Sequence, residues 1–291
     1  AFKEINALMK GDVAGFDRAF WPHIGHVIRN LSRSVLLSVT RGFLLKSPVK
    51  GPTAKYYRKI SWSSASFALL ADIAMGMYGG RLKRMEKITG RFADIFSWMY
   101  LGTATLRRFE AEGRREEHLP FVHWSLQYTL AQIQQGFDGL FHNMGFPFKG
   151  PITLWSRANS IGSMPSDKLG REVALGLQKP GAERDALTAG TYIPPDTNEA
   201  LGRLENAFRL VYEADPIAKK VMKAVRFGEL AMDRIDRLAM KAIDAGIITQ
   251  QEAVLLVVAE EARTDAIQVD SFTLTGHMHQ EPERSSVRKV A

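Results

Sequence analysis

Long stretches of the chain place apolar residues three and four positions apart, the spacing of helices that bury one face. No convincing run of alternating β-branched residues bounded by turns accompanies them. The pattern therefore predicts an all-α multi-helix bundle. Helices are predicted at about residues 2–10, 13–45, 53–78, 81–112, 119–142, 166–177, 199–214, 233–244 and 250–267, with a further helix beginning at Pro216.

Proline, glycine and capping residues set the predicted boundaries. Pro22 predicts a kink or a break near Trp21, and Asp215-Pro216 predicts the end of one helix and the start of the next. Near the C-terminus, Gly246 is suited to a left-handed helix end, and Thr249 with Glu252 forms a capping box. These two signals predict a C-terminal helical hairpin.

Changes in composition along the chain divide it into four predicted segments. Residues 1–145 are predicted to form a basic helical bundle, residues 146–197 a packed, irregular Gly/Pro-rich connector with one short helix, residues 198–272 a C-terminal helical subdomain, and residues 273–291 a mobile tail. The connector retains Phe146, Phe148, Leu154 and Trp155, so we expect it to pack as an extended segment with at most one short strand. Ser166 or Asp167 is expected to cap its helix.

Composition limits the class and the location of the protein. With 291 residues and 45% hydrophobic content the chain can bury a substantial core. The absence of Cys excludes disulfides and thiolate sites and fits a cytoplasmic location. The apolar runs at residues 60–71 and 122–137 are too short, or too interrupted by Ser, Gln and His, for a bilayer span of about 20 residues. No signal peptide is visible, and we expect the chain to be cut from something longer.

Charge is concentrated near the N-terminus. Residues 1–60 carry eleven Lys and Arg against Glu4, Asp12 and Asp17, which equals the whole formal excess of +8. Within residues 16–45, arginines are set singly into an apolar stretch, a pattern that suits a core-facing or membrane-facing helix better than a catalytic loop. An anionic partner should therefore be sought there.

A second basic set is partly neutralised by Glu86, Asp94, Glu110 and Glu112. A solvated helix surface, anionic lipid and an acidic ligand all remain open as interpretations. Nucleic acid is not expected, because no recognition motif accompanies the charge. The second set comprises Arg81, Lys83, Arg84, Lys87, Arg91, Arg107, Arg108, Arg114 and Arg115.

Motifs for catalysis are missing from the sequence. No HExxH, GxGxxG, GxxxxGK[ST] or GxSxG string occurs. Four histidines on or beside predicted helices are interpreted as structural or surface residues, and the adjacent carboxylates point to different helix faces. We therefore predict no catalytic, cofactor-binding or metal-ligating residue. The residues considered are His23, His26, His118, His123, Glu116, Glu117, Glu260 and Glu261.

Several long strings carry a family resemblance. They are FDRAFWPHIGHVIRN at residues 16–30, KYYRKISWSSASFALLADIAM at 55–75, GGRLKRMEKITGRFADIFSWMYLGTATLRRFEAEGR at 79–114, LPFVHW at 119–124, PSDKL at 165–169 and EADPIAKKV at 213–221. Together, and in this order, they resemble the C-terminal region of the large bacterial, FadE-type long-chain acyl-CoA dehydrogenases. The resemblance runs from about residue 2 to residue 272.

The resemblance implies an accessory region of a FAD-dependent enzyme that dehydrogenates long-chain acyl-CoA in fatty-acid β-oxidation. It implies that FAD and the catalytic glutamate lie in an upstream flavoprotein core, so this chain alone should bind no cofactor and be inactive. It also suggests membrane association on the inner face of the bacterial plasma membrane and a homodimer.

Six cations are the predicted lipid-facing or partner-facing residues. A basic face equally suits an acidic electron-transfer flavoprotein as a partner. The alternative function is a free-standing helical interaction protein that binds anionic lipid or an acidic protein. The six cations are Arg29, Arg33, Arg41, Lys46, Lys50 and Lys55.

Overall fold

The computed structural model describes residues 2–145 and 149–268, without the side chains of Phe2 and Lys149. The predicted mobile tail at residues 273–291, and Phe146 and Phe148, lie outside the described residues. The contacts divide the chain into two compact units, unit 1 at residues 1–178 and unit 2 at residues 179–291. This boundary falls inside the connector predicted at residues 146–197.

Eleven α-helices and no strand occupy the described residues, which confirms the all-α prediction. Two short 3₁₀ helices, Gly79–Arg84 and Glu116–His118, precede α4 and α5. The α-helices are α1 Phe2–Met9, α2 Val13–Val39, α3 Ala54–Tyr78, α4 Glu86–Ala111, α5 Leu119–Asn143, α6 Lys149–Ala158, α7 Asp167–Leu177, α8 Ala182–Thr188, α9 Ala200–Arg226, α10 Ile235–Asp244 and α11 Gln250–Ile267.

Helix α5 is the centre of unit 1. Five of its apolar residues recur at helical spacing and are each at most 2% exposed. Helices α3, α4, α6 and α7 contact α5, whereas α2 packs on α3 and α1 packs on α2. Helix α2 therefore lies at the edge of the unit, and only Ser34 and Leu37 of its residues are buried. The central α5 side chains are Leu126, Leu130, Ile133, Phe137 and Leu140.

A polar network fixes α6 and the segment after it onto unit 1. The Gln134 side chain donates to Asp138 and Ser156 and accepts a hydrogen bond at 2.8 Å from the Ile161 backbone N–H. The Lys59 ammonium donates to the Ile161 carbonyl at 2.6 Å, and burial lowers the pKa of this lysine. Buried polar groups at this junction are thereby satisfied, which makes the attachment specific.

Unit 2 is built from α9, α10 and α11, whose core includes Val221, Leu238 and Leu256. The predicted helical hairpin and its capping box are confirmed. The Thr249 hydroxyl accepts from the Glu252 backbone N–H at 3.2 Å, and the Glu252 carboxylate accepts from the Thr249 N–H at 2.8 Å. Gly246 has φ of 68°, as expected for the residue that ends α10.

The predicted end of α2 is wrong by six residues. The helix stops at Val39 because Arg41 and Gly42 adopt φ of 50° and 75°, and the Gly42 N–H donates to the Leu37 carbonyl at 2.8 Å. A Cβ at position 42 would lie 3.2 Å from the Arg58 carbonyl oxygen, so the close approach of α3 also favours glycine.

Both prolines that were expected to interrupt a helix lie inside continuous helices, and the kink predicted as the alternative at Pro22 stays a prediction. Helix α9 continues through Pro216, although a break was predicted there, because Ala214, Ile217 and Val221 extend one buried stripe across it. Helix α2 likewise continues through Pro22 without a break. At Pro216, burial on both sides of the proline outweighs the backbone hydrogen bond that it removes.

The connector contains three helices, α6, α7 and α8, where one was predicted. Pro151 lies in the first turn of α6, where its missing N–H would have no intrahelical partner in any case. The predicted cap of α7 is confirmed, since the Ser166 hydroxyl accepts from the Leu169 N–H. No strand occurs within the described part of the connector.

The pair formed by buried Tyr56 and half-buried His123 predicts a pH dependence for unit 1. The Tyr56 hydroxyl lies 2.8 Å from His123 Nδ1, and burial, aided by the Lys55 charge, lowers the pKa of His123. The unfolded chain therefore takes up a proton at about pH 6.5 while the folded chain does not, so stability falls as the pH drops from there towards the lower folded pKa. We expect urea unfolding of His123→Asn, compared with the unchanged chain at about pH 7.5 and about pH 5.5, to show a smaller loss on acidification.

Equal losses in the two proteins would contradict a role for His123 in this pH dependence. Asn is chosen because its side-chain oxygen occupies a position similar to Nδ1 and can still accept from Tyr56.

Candidate interaction surface

The structure places all six predicted cations on the surface of unit 1. Arg29 and Arg33 lie on α2, Lys46 and Lys50 lie in the loop between α2 and α3, and Lys55 is in the first turn of α3. Arg41 lies in the turn that ends α2. All six are exposed, so each is accessible to a partner.

The surroundings of these cations contain no compensating charge from their own segment. Residues 18–71 hold nine Lys and Arg and not one Asp or Glu. Within residues 2–145 and 149–268, none of the six cations forms an ion pair with a carboxylate. The excess of positive charge in this segment favours anionic partners.

Two of the six cations also have structural contacts. The Arg41 guanidinium donates to the Asn159 side chain at 2.6 Å, which ties the end of α2 to the segment after α6. The Lys55 ammonium lies 5.0 Å from the centre of the Tyr56 ring. Arg29 and Arg33 make no such contact among those described, so substitutions at these two positions test binding most directly.

Helix α2 also exposes a row of large apolar side chains, here called the α2 stripe: Trp21, Ile28, Leu31, Val35 and Val39. These five are between 47% and 66% exposed. At 100° per residue they fall within an arc of about 80°, and they extend about 27 Å along the helix. The sequence analysis did not identify this row, because periodicity alone does not tell which apolar residues another element covers.

Cations border the α2 stripe along one side. Around the helix axis, Arg29 and Arg33 lie roughly a quarter to a third of a turn beyond the edge of the stripe. In the following loop, Phe43 and Leu44 are 74% and 62% exposed. This arrangement combines positive charge and apolar area on one exposed helix, which is typical of helices that lie on an anionic membrane.

Three cations of the second basic set, unlike the six above, form ion pairs with carboxylates. Arg108, Arg114 and Arg115 pair with Glu112, Glu110 and Glu117, respectively, at 2.6 Å, 3.3 Å and 2.5 Å. Arg91 is half-buried, and its guanidinium donates to the Lys87 carbonyl. The remaining members, Arg81, Lys83, Arg84, Lys87 and Arg107, are exposed.

The four histidines considered above all have neighbours within the protein. His23 contacts Glu4 at 2.9 Å, His26 contacts Asn30 at 3.0 Å, and His118 lies 3.6 Å from Glu112. His123 contacts Tyr56 as described. In the part of the chain that the structure describes, no three His, Cys, Asp or Glu side chains form a group suited to a metal ion.

One helical run among the residues described, Ala54–Arg84, is long and apolar enough to cross a membrane by length and composition. The core helix of a globular protein passes the same test. This run buries Tyr56, Trp62, Leu70 and Ala74 in the core of unit 1. The expectation that no segment spans a bilayer stays a prediction.

Three cavities among the described residues differ in size and charge, and the one lined by Arg91, Asp94 and Trp98 measures about 370 Å³. The partly open cavity bordered by Trp62, Phe137 and Trp155 measures about 70 Å³, below the few hundred Å³ typical of cofactor pockets. An open groove of about 530 Å³ between α10 and α11 is lined by Asp236, Glu260 and other carboxylates, which would repel the diphosphate of FAD.

Fold and surface together define the class: an all-α domain with an exposed helix that is basic and apolar at once. The chain matches, over residues 1–272, the family described as "Acyl-CoA dehydrogenase, C-terminal, bacterial type", and it belongs to that family. The resemblance found in the sequence is thereby confirmed. No solved structure matches the chain. The parent enzyme class is acyl-CoA dehydrogenase.

Proposed function

We propose that this domain serves a dehydrogenase of long-chain acyl-CoA in fatty-acid β-oxidation by holding the enzyme on an anionic membrane. FAD and the glutamate that removes the α-proton belong, in this proposal, to an upstream flavoprotein core, and this domain supplies no catalytic group. The observation that carries the proposal is the set of six exposed, unpaired cations in a segment without a carboxylate.

The electrostatic attraction makes a measurable contribution to attachment. Each Lys or Arg near an anionic leaflet contributes about 1 kcal/mol, so the four cations without a structural contact contribute about 4 kcal/mol together. Long-chain acyl-CoA partitions into membranes through its apolar tail. An enzyme on the leaflet therefore meets its substrate where the substrate is concentrated, on the inner face of the plasma membrane.

An acidic electron-transfer flavoprotein is the second partner that the charge favours. A protein partner would bind the same cations in the absence of lipid, whereas a membrane surface needs no second protein. Membrane binding by the purified chain is therefore the observation that distinguishes the two. Homodimer formation stays a prediction, whichever of these two partners binds.

Charge reversal on α2 provides the test. We expect Arg29→Glu with Arg33→Glu to weaken binding to vesicles of phosphatidylcholine and phosphatidylglycerol by about 100-fold or more, because each change replaces an attraction with a repulsion. Binding is measured by co-sedimentation of the purified 291-residue chain at low salt, with helicity checked by circular dichroism.

The control pair is Lys223→Glu with Arg226→Glu in unit 2. Both positions are exposed and helical, and the change in net charge is the same. Membrane attachment through α2 predicts that this control binds like the unchanged chain. Equal weakening by the two pairs would mean that only net charge matters and would reject the assigned surface.

A further inference from the structure

The exposed apolar area of α2 is not explained by electrostatic attachment alone. Cations bind headgroups equally well from a polar helix, as polybasic segments do. The α2 stripe nevertheless presents Trp21, Ile28, Leu31, Val35 and Val39 to the outside, while the same helix gives the core only Leu37 among its apolar residues. Such an area on a surface helix indicates a binding partner.

A second copy of the chain is a poor occupant of the α2 stripe. In a two-fold dimer the same surface meets itself, so Arg29 and Arg33 of both copies would be brought together, and Asp17 is the one acidic residue that α2 contributes to such an interface. Like charges at short distance oppose such a pairing. An anionic leaflet, in contrast, offers apolar chains and negative headgroups side by side.

The geometry of the α2 stripe also suits a leaflet. A row of about 27 Å along one helix matches a helix that lies in the plane of the interface with one face in the acyl region. Trp21 stands at one end of the row, and tryptophan is favoured at the boundary between headgroups and acyl chains. Arg29 and Arg33 stand beside the row, at the level where headgroups would lie.

We infer that the α2 stripe inserts into the acyl region of an anionic leaflet, so that α2 is an in-plane membrane anchor rather than a purely electrostatic contact. This inference rests on the proposed membrane association. It adds that binding persists at high salt, because screening weakens the contribution of the cations and leaves the apolar contribution intact.

Serine substitutions separate the two contributions. We expect Ile28→Ser with Leu31→Ser and Val35→Ser to weaken binding to phosphatidylcholine and phosphatidylglycerol vesicles by about 100-fold at both salt concentrations. Binding through the cations then stays measurable at low salt and is lost at high salt. The matched control replaces three residues of α9 by Ser. They are Leu201, Leu204 and Val211, whose side chains are 42%, 52% and 36% exposed. The control is expected to bind like the unchanged chain at both salt concentrations.

The absence of Cys makes depth measurement direct, because a single introduced Cys carries the only label. Val35→Cys, labelled with an environment-sensitive fluorophore, is expected to shift to shorter emission wavelength on anionic vesicles and to be quenched by lipids brominated in their acyl chains. Val254→Cys is the control, since Val254 of α11 is 59% exposed, close to the 52% of Val35.

The outcomes distinguish insertion of the α2 stripe from the membrane association on which it rests. Vesicle binding that depends on Arg29 and Arg33, with the label at position 35 left open to an aqueous quencher, would overturn insertion and leave electrostatic attachment standing. No vesicle binding at all would reject both. A label that is shielded without lipid, in a chain that sediments as a dimer, would assign the α2 stripe to a second copy instead.

Discussion

Replacing Gly162 by Ala is expected to lower the free energy of unfolding of unit 1 by about 3 kcal/mol. A Cβ at this position would lie 2.4 Å from Leu130 Cβ and 2.7 Å from the Leu130 carbonyl carbon. These atoms belong to the centre of α5, where Leu130 is 1% exposed. The helix cannot retreat without disturbing its own core, so the segment at residues 159–162 must move away and strain the hydrogen bonds that Ile161 makes with Gln134 and Lys59.

Urea unfolding followed by tryptophan fluorescence measures this effect in unit 1 alone, because all five tryptophans lie within residues 1–178. Gly90→Ala is the control. Gly90 is exposed in α4 and has nothing within 4 Å of a Cβ, so alanine there should be neutral or stabilise by up to about 1 kcal/mol. A Gly162→Ala protein as stable as the Gly90→Ala protein would show that the contact with Leu130 relaxes freely.

Elements with strong local signals were predicted almost to the residue. Helix α11 begins and ends where its capping box and apolar spacing place it, and α5 differs from its prediction by one residue at its end. In both cases the determining interactions lie within four residues in sequence. Side-chain caps and periodic burial are such interactions, and they need no knowledge of the rest of the chain.

The errors have tertiary causes. The extra helices of the connector form where the sequence offers Gly and Pro, and α6 is held by contacts of Gln134 and Arg41 with Ser156 and Asn159, which lie 22 and 118 residues away along the chain. Pro216 stays inside α9 because α11 covers the residues around it. Local propensity is a weak prior when burial opposes it.

The candidate surface was predictable in its charge but not in its apolar part. Six cations in a segment without carboxylates are expected on a surface, since unpaired cations are costly to bury, and the structure shows all six exposed. The α2 stripe could not be predicted, because α2 has apolar residues on two faces and only the position of α3 decides which face is covered. Its membrane role stays a proposal.

Replacing Arg184 by Met is expected to destabilise unit 2 by about 2 kcal/mol near neutral pH. The Arg184 guanidinium donates to both carboxylate oxygens of Glu205, at 3.0 Å and 2.6 Å, and stacks 4.5 Å from the Phe208 ring. Glu205 is only 9% exposed. The substitution leaves this carboxylate with Arg209 alone, at 3.2 Å. Hydrogen exchange in α8 and α9 should therefore accelerate by about 30-fold.

A matched control and the dependence on pH make the assignment to the Glu205 charge testable. Arg203→Met breaks an exposed pair with Asp265 at 3.6 Å and should change exchange little, because surface ion pairs contribute at most about 1 kcal/mol. The hydrogen bonds and charge of Arg184 lower the pKa of Glu205. Its contribution is therefore present above the unfolded pKa of about 4.3 and is lost as the pH falls through the lower folded pKa. The difference between Arg184→Met and the unchanged chain should shrink over that acidic range; a difference independent of pH would assign the effect to packing on Phe208 instead.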